Sequence, residues 1–129
     1  MKKKNNSNNK ILLIEDEEIM LDLLQRKLAQ EGYDISVARN GEEGLDMMKE
    51  FIPDLVLLDI IMPKKGGYEV MEEMSRDESL NKIPIIIISN SGQPVEIDRA
   101  QKLGAKDWLV KTDFNPQEVI AKVRKQLPL

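Results

Sequence analysis

Pro53-Asp54-Leu55-Val56-Leu57-Leu58-Asp59 decides how this chain folds. Four consecutive apolar residues closed by an acid form the pattern of a strand buried on both faces of a parallel sheet. Near the N-terminus the run Ile11 to Ile14 also ends in acid, at Glu15 and Asp16. Two such strands side by side would bring their acids to one edge. In open α/β sheets that edge, outside the carboxyl ends of the strands, is where ligand sites form.

Working outward, strand and helix patterns alternate five times. Strands are expected at Lys10 to Ile14, Asp34 to Ala38, Asp54 to Leu58, Ile83 to Ile88 and Asp107 to Val110. The first helix, Glu17 to Gln30, would turn Ile19, Leu23, Leu24, Leu28 and the stem of Arg26 inward and stop at Gly32. Further helices are expected from Gly41 to Glu50, from Gly67 to Arg76, from Pro94 to Gly104, and from Asn115, a cap followed by proline at the first helical position. Alternating β and α units predict an α/β fold with right-handed crossovers and helices on both faces. The length suits a doubly wound, five-stranded parallel sheet in the order 2-1-3-4-5, in which the first and third strands are neighbours.

The 129 residues suffice for one domain with its own core. The expected division is a disordered polar tail over residues 1–9, holding Lys2 to Lys4 and Asn5 to Asn9, then a domain over residues 10–129. The chain has no Cys and no His, which excludes thiolate catalysis, imidazole bases and the usual zinc ligand sets. No apolar run can span a bilayer and the N-terminus lacks the apolar core of a signal peptide, so a cytoplasmic location without membrane contact is expected. The net charge of −4, with acids and bases interspersed, offers no face for nucleic acid.

The predicted order brings Glu15 and Asp16 beside Asp59. Two carboxylates about 5 Å apart repel by roughly 3 kcal/mol at an effective dielectric near 20. Such a crevice invites a divalent cation, and oxygen ligands in an open site favour magnesium. The fourth strand ends in the hydroxyl of Ser89 and the fifth in the ammonium of Lys111. Acids, a hydroxyl and a lysine at one edge suit a phosphoryl group beside a metal. Asp59 would be the nucleophile, with Lys111 and the cation neutralising phosphoryl oxygens. Taken singly, each residue has a plainer reading: helix-start acids, a turn aspartate, a serine bonded to backbone, a solvated lysine. Convergence on one edge favours the site.

Four stretches, ILLIEDEE (11–18), PDLVLLDIIMPKKGGYEV (53–70), IPIIIIS (83–89) and GAKDWLVK (104–111), occur in the order and spacing of response-regulator receiver domains of two-component signalling. The chain resembles that CheY-like family over about Lys10 to Leu127. The resemblance implies a flavodoxin-like (βα)5 fold in which Asp59 accepts a phosphoryl group from a histidine kinase phosphohistidine, or from a histidine phosphotransfer protein. It implies Asp16 as direct magnesium ligand, Glu15 acting through water, and the Ile61 carbonyl as a further ligand. Ser89 falls on the switch hydroxyl, Lys111 on the phosphate-pairing lysine and Trp108 on the aromatic switch position. Met62, Pro63 and Gly67 fall on the loop shaping the acceptor's surroundings.

Three positions depart from the family pattern. Thr112 follows Lys111 where the family has a cis proline, which leaves the Lys111–Thr112 peptide cis or trans. Asn90 stands where a small residue is usual, and Glu15 replaces the commoner aspartate. The function implied is a phosphorylation-driven switch of the fourth helix, fifth strand and fifth helix, not a turnover enzyme. No output domain is read in the chain, so partners would be the phosphodonor, an unidentified downstream protein and, in one reading, a phosphorylation-dependent homodimer. Met20, Leu21 and Leu24 are candidates for a kinase-docking patch. The alternatives are a degenerate receiver that only binds partners and a magnesium-dependent phosphohydrolase. The hydrolase would need a second acid two residues after its nucleophile, where this chain has Ile61.

Overall fold

In the structure, a computed structural model describing residues 9–113 and 115–129, the five apolar runs lie side by side. The elements are β1 (Lys10–Ile14), α1 (Glu18–Gln30), β2 (Asp34–Ala38), α2 (Gly41–Glu50), β3 (Leu55–Asp59), α3 (Gly67–Ser75), β4 (Ile85–Ser89), α4 (Pro94–Lys102), β5 (Ala105–Val110) and α5 (Pro116–Gln126). All strand pairs are parallel, in the order β2-β1-β3-β4-β5. This is the doubly wound arrangement expected from the alternating pattern. The polar stretch 1–9 lies outside the described residues except for Asn9, whose carbonyl accepts from the Asp34 N–H at 2.9 Å.

Side chains alternate across the sheet and create two cores. Ile11, Leu13, Leu55, Leu57, Ile86 and Ile88 pack with Leu21, Leu24 and Leu28 of α1 and Val119, Ile120 and Val123 of α5. Leu12, Ile14, Val56, Leu58, Ile85 and Ile87 pack with residues of α2, α3 and α4, among them Met48, Met71 and Ala100. The helices begin and end as their sequences dictate. Asn40 and Asn115 accept from the third helical N–H of α2 and α5, at 2.8 and 2.9 Å. Gly32 and Gly104, with φ of 103° and 107°, follow α1 and α4.

Several expectations need correction. Ile19 is 86% exposed, and α1 turns Leu21, Leu24 and Leu28 inward, with Arg26 on the outside. Leu21 and Leu24 therefore belong to the core and leave the proposed docking patch, in which only Met20 remains half-buried. β3 and β4 each run one residue further than expected, because Asp59 pairs with Ile88 and Ser89 with Val110. Ile83 and Pro84 precede β4, and β5 begins at Ala105, two residues early. α1 starts at Glu18, α3 ends at Ser75 and α4 at Lys102. The described residues contain no cis peptide, so Lys111–Thr112 is trans.

Candidate functional site

The ladders deliver the site. The β1–β3 register ends at the pair Ile14–Leu58, so Glu15 follows directly beside Asp59, anchored by its N–H to the Ala38 carbonyl at 3.0 Å. On the other side, the Lys111 N–H donates to the Ser89 carbonyl at 2.7 Å, extending the β4–β5 pairing. The loop after β3 folds back tightly enough to require glycine at position 67. A Cβ there would lie 2.5 Å from the Asp59 carbonyl oxygen and 2.9 Å from the Ile60 Cα.

Asp16, Glu17, Asp59, Ile61, Ser89, Asn90 and Lys111 line a crevice of about 200 Å³. A larger cavity of about 290 Å³ lies at the other edge of the sheet, among Met71, Met74, Leu80 and Leu103. Its one charged lining residue, Lys102, is paired with Asp98 at 3.1 Å, so volume alone does not mark the chemistry.

Glu15, Asp59 and Ser89 are the buried polar residues among those described, at 0%, 4% and 3% exposure. Lys111 Nζ bonds Asp59 Oδ2 at 3.2 Å and Glu17 Oε1, and lies 2.8 Å from Glu15 Oε1. That last oxygen is enclosed, yet among the described residues no hydrogen bond is aligned on it. Glu15 Oε2 accepts from the Glu17 N–H at 2.9 Å. Burial raises the Glu15 pKa to about 7, against the Lys111 ion pair and the Glu17 hydrogen bond and aided by the charge of Asp59. Burial likewise raises Asp59, against Lys111. For Lys111 burial alone would lower the pKa, but its pairing with Glu15 and Glu17 and the charge of Asp59 outweigh it, and the net shift is upward. Lys111 is thus a permanent ammonium among carboxylates.

Glu15, Glu17 and Asp59 each place a carboxylate oxygen within 4.8 Å of the others. An all-oxygen donor set with one buried oxygen lacking an aligned donor fits a hard divalent cation. Of the expected ligands, Glu15 and Asp59 join this group. Asp16 is exposed at the crevice wall, and Ile61 lines the crevice while 76% exposed. Glu17 was missed, because an acid before a helix reads as an ordinary dipole partner. The signal was present as four consecutive acids, Glu15 to Glu18, at a strand end.

Ser89 Oγ accepts from the Ser91 N–H at 3.2 Å, and the Trp108 indole N–H donates to the Ser91 carbonyl at 2.8 Å. The Ser91 hydroxyl bonds Glu96 on α4 at 2.5 Å, and Tyr68 on α3 donates to the Glu96 carbonyl at 2.9 Å. Ser89 and Trp108 are therefore joined through one loop residue, and that residue is tied to α4.

Comparison with known proteins agrees with this architecture. The model of the response regulator receiver domain family matches residues 11–124, and the chain belongs to that family. A probable transcriptional regulator, ycf27, of Guillardia theta is 36% identical over 118 residues, 92% of this chain and 45% of its own length. The chain thus spans about half the length of the curated relatives it matches. The signal receiver domain of a signal transduction histidine kinase from Syntrophus aciditrophicus is 27% identical, with a TM-score of 0.83 over 92% of this chain and 89% of that one. The chemotaxis protein CheY4 of Vibrio cholerae, 24% identical, shares the fold with a TM-score of 0.87 over 94% of this chain and all of its own.

Proposed function

We propose that Asp59 is the phosphoacceptor of a two-component or phosphorelay receiver, and that the observation carrying this is the buried Asp59–Lys111 pair at the crevice. The phosphodonor would be a phosphohistidine on a histidine kinase or histidine phosphotransfer protein. An Asp59 carboxylate oxygen attacks phosphorus, the new P–O bond forms as the P–N bond breaks, and the imidazole departs neutral when its second nitrogen carries a proton. Lys111 stays charged and neutralises a phosphoryl oxygen as it arrives. Glu15, Asp16, Asp59 and the Ile61 carbonyl would hold a magnesium ion, with Glu17 near enough to assist; when bound, it supplies positive charge for the phosphoryl oxygens.

Loading Asp59 then draws the Ser89 hydroxyl from the Ser91 N–H toward the anion. Trp108, bonded to the same Ser91, follows, and the surface of α4, β5 and α5 changes for a downstream protein or a second copy of the chain. The protein signals without turning over a substrate, in the cytoplasm. The test is incubation with acetyl phosphate, with and without magnesium, read by intact mass. One phosphoryl group should be gained by the wild type in magnesium and none by Asp59→Asn. Absence of any Asp59-dependent modification would leave a receiver that only binds partners.

A further inference from the structure

An ammonium has three donors, and Lys111 faces three carboxylates with them: Asp59, Glu17 and Glu15. The three are not equivalent. The Glu15 and Asp59 side chains are 0% and 6% exposed, and the Glu17 side chain is 54% exposed. Removing the lysine from a buried carboxylate strands a charge away from water, whereas Glu17 can release it and be solvated.

We propose that Glu17 is a positioning residue and the exchange partner of Lys111: it holds the ammonium over Asp59 at rest and surrenders its donor to the phosphoryl oxygen that arrives on Asp59. The proposal rests on the reading of Asp59 as phosphoacceptor. Two features of Glu17 suit the role. It precedes α1 as the N-cap residue, yet its side chain makes no capping bond, so the carboxylate is not committed to the helix end. Its backbone N–H meanwhile fixes Glu15 Oε2, so one residue orients the buried acid with its main chain and the lysine with its side chain.

Glu17 therefore competes with any anion that Lys111 must receive. Replacing it with the neutral isostere, Glu17→Gln, should tighten binding of beryllofluoride, a phosphoryl mimic, on the order of fivefold at saturating magnesium, read by the bound fluorine signal in NMR. The effect must pass through the lysine, so in a Lys111→Met background the same substitution should change affinity less than about twofold. An equal factor in both backgrounds would mean simple repulsion between Glu17 and the anion, and would overturn the proposal, as would no change in either. A wild type that binds no beryllofluoride sinks instead the reading of Asp59 beneath it. A second measurement needs no anion: the Lys111 ammonium, observed by nitrogen-15 NMR in the resting protein, should lose exchange protection in Glu17→Gln. Unchanged protection refutes the grip even if Lys111→Met binds too weakly to titrate.

Discussion

Replacing Glu15 by glutamine should change how stability depends on pH. The Glu15 side chain is fully enclosed and its pKa is raised from 4.5 to about 7, chiefly by burial. An acid raised in this way keeps its proton longer in the folded than in the unfolded state. Between pH 4.5 and about 7 the native state holds more protons than the unfolded chain, so stability falls as pH rises through this window. At about 1.4 kcal/mol per pH unit the gap corresponds to about 3 kcal/mol. Glutamine cannot ionise. In chelator, Glu15→Gln should therefore gain on the wild type by up to about 3 kcal/mol between pH 4.5 and 7.5. The assay is urea denaturation at half-unit pH steps, and the chain makes it clean: with no His and no Cys, no ordinary side chain titrates near pH 6.5. Asp59 is raised as well and interacts with Glu15, so the substitution moves its titration too, and the difference between the two proteins reports the pair. Magnesium at pH 7.5 should stabilise the wild type, with a gain that shrinks below pH 7 as the Glu15 proton must be displaced, and should do little for Glu15→Gln. Parallel pH profiles for the two proteins in chelator would refute the reasoning.

Other outcomes follow from the same geometry. Gly67→Ala forces a methyl against the Asp59 carbonyl and the Ile60 Cα, and should cost about 2 to 3 kcal/mol by urea denaturation. Leu24→Ala, in the core beneath α1, should cost about 3 kcal/mol, while Ile19→Ala on the same helix should stay within about 0.5 kcal/mol, and equal losses would contradict the helix phase. Trp108 is the sole tryptophan, so its emission should shift when beryllofluoride and magnesium are added together and stay constant in Asp59→Asn. Asn90 is exposed and lines the crevice, so Asn90→Ala should speed dephosphorylation by opening the approach of water, and an unchanged rate would refute that role.

The fold was legible because β1, β3 and β4 are uninterrupted apolar runs, which only a sheet covered on both faces accommodates. β5 was read short since Ala105 and Lys106 lie on an edge strand, where pairing needs no apolar signal. The phase of α1 was misread for a different reason. Ile19, Met20, Leu21, Leu23 and Leu24 crowd one and a half turns, and only packing into the core shared with the sheet and α5 chooses Leu21, Leu24 and Leu28 as the buried stripe. At the site, Asp59, Ser89 and Lys111 were visible as polar residues ending apolar strands. Glu17 was not, because its part depends on a side chain reaching across the crevice to a lysine 94 residues away.

The alternation that divides the sheet into two cores also separates two packing problems. Leu109 packs toward α1 and α5, while its neighbour Trp108 packs toward α3 and α4. Substitutions in the two cores have a layer of backbone between them and should add independently. Repacking beneath α3 or α4 should therefore leave α1 and α5 in place. What both cores must preserve is the narrow seam at the strand ends, where Glu15, Asp59, Ser89 and Lys111 meet.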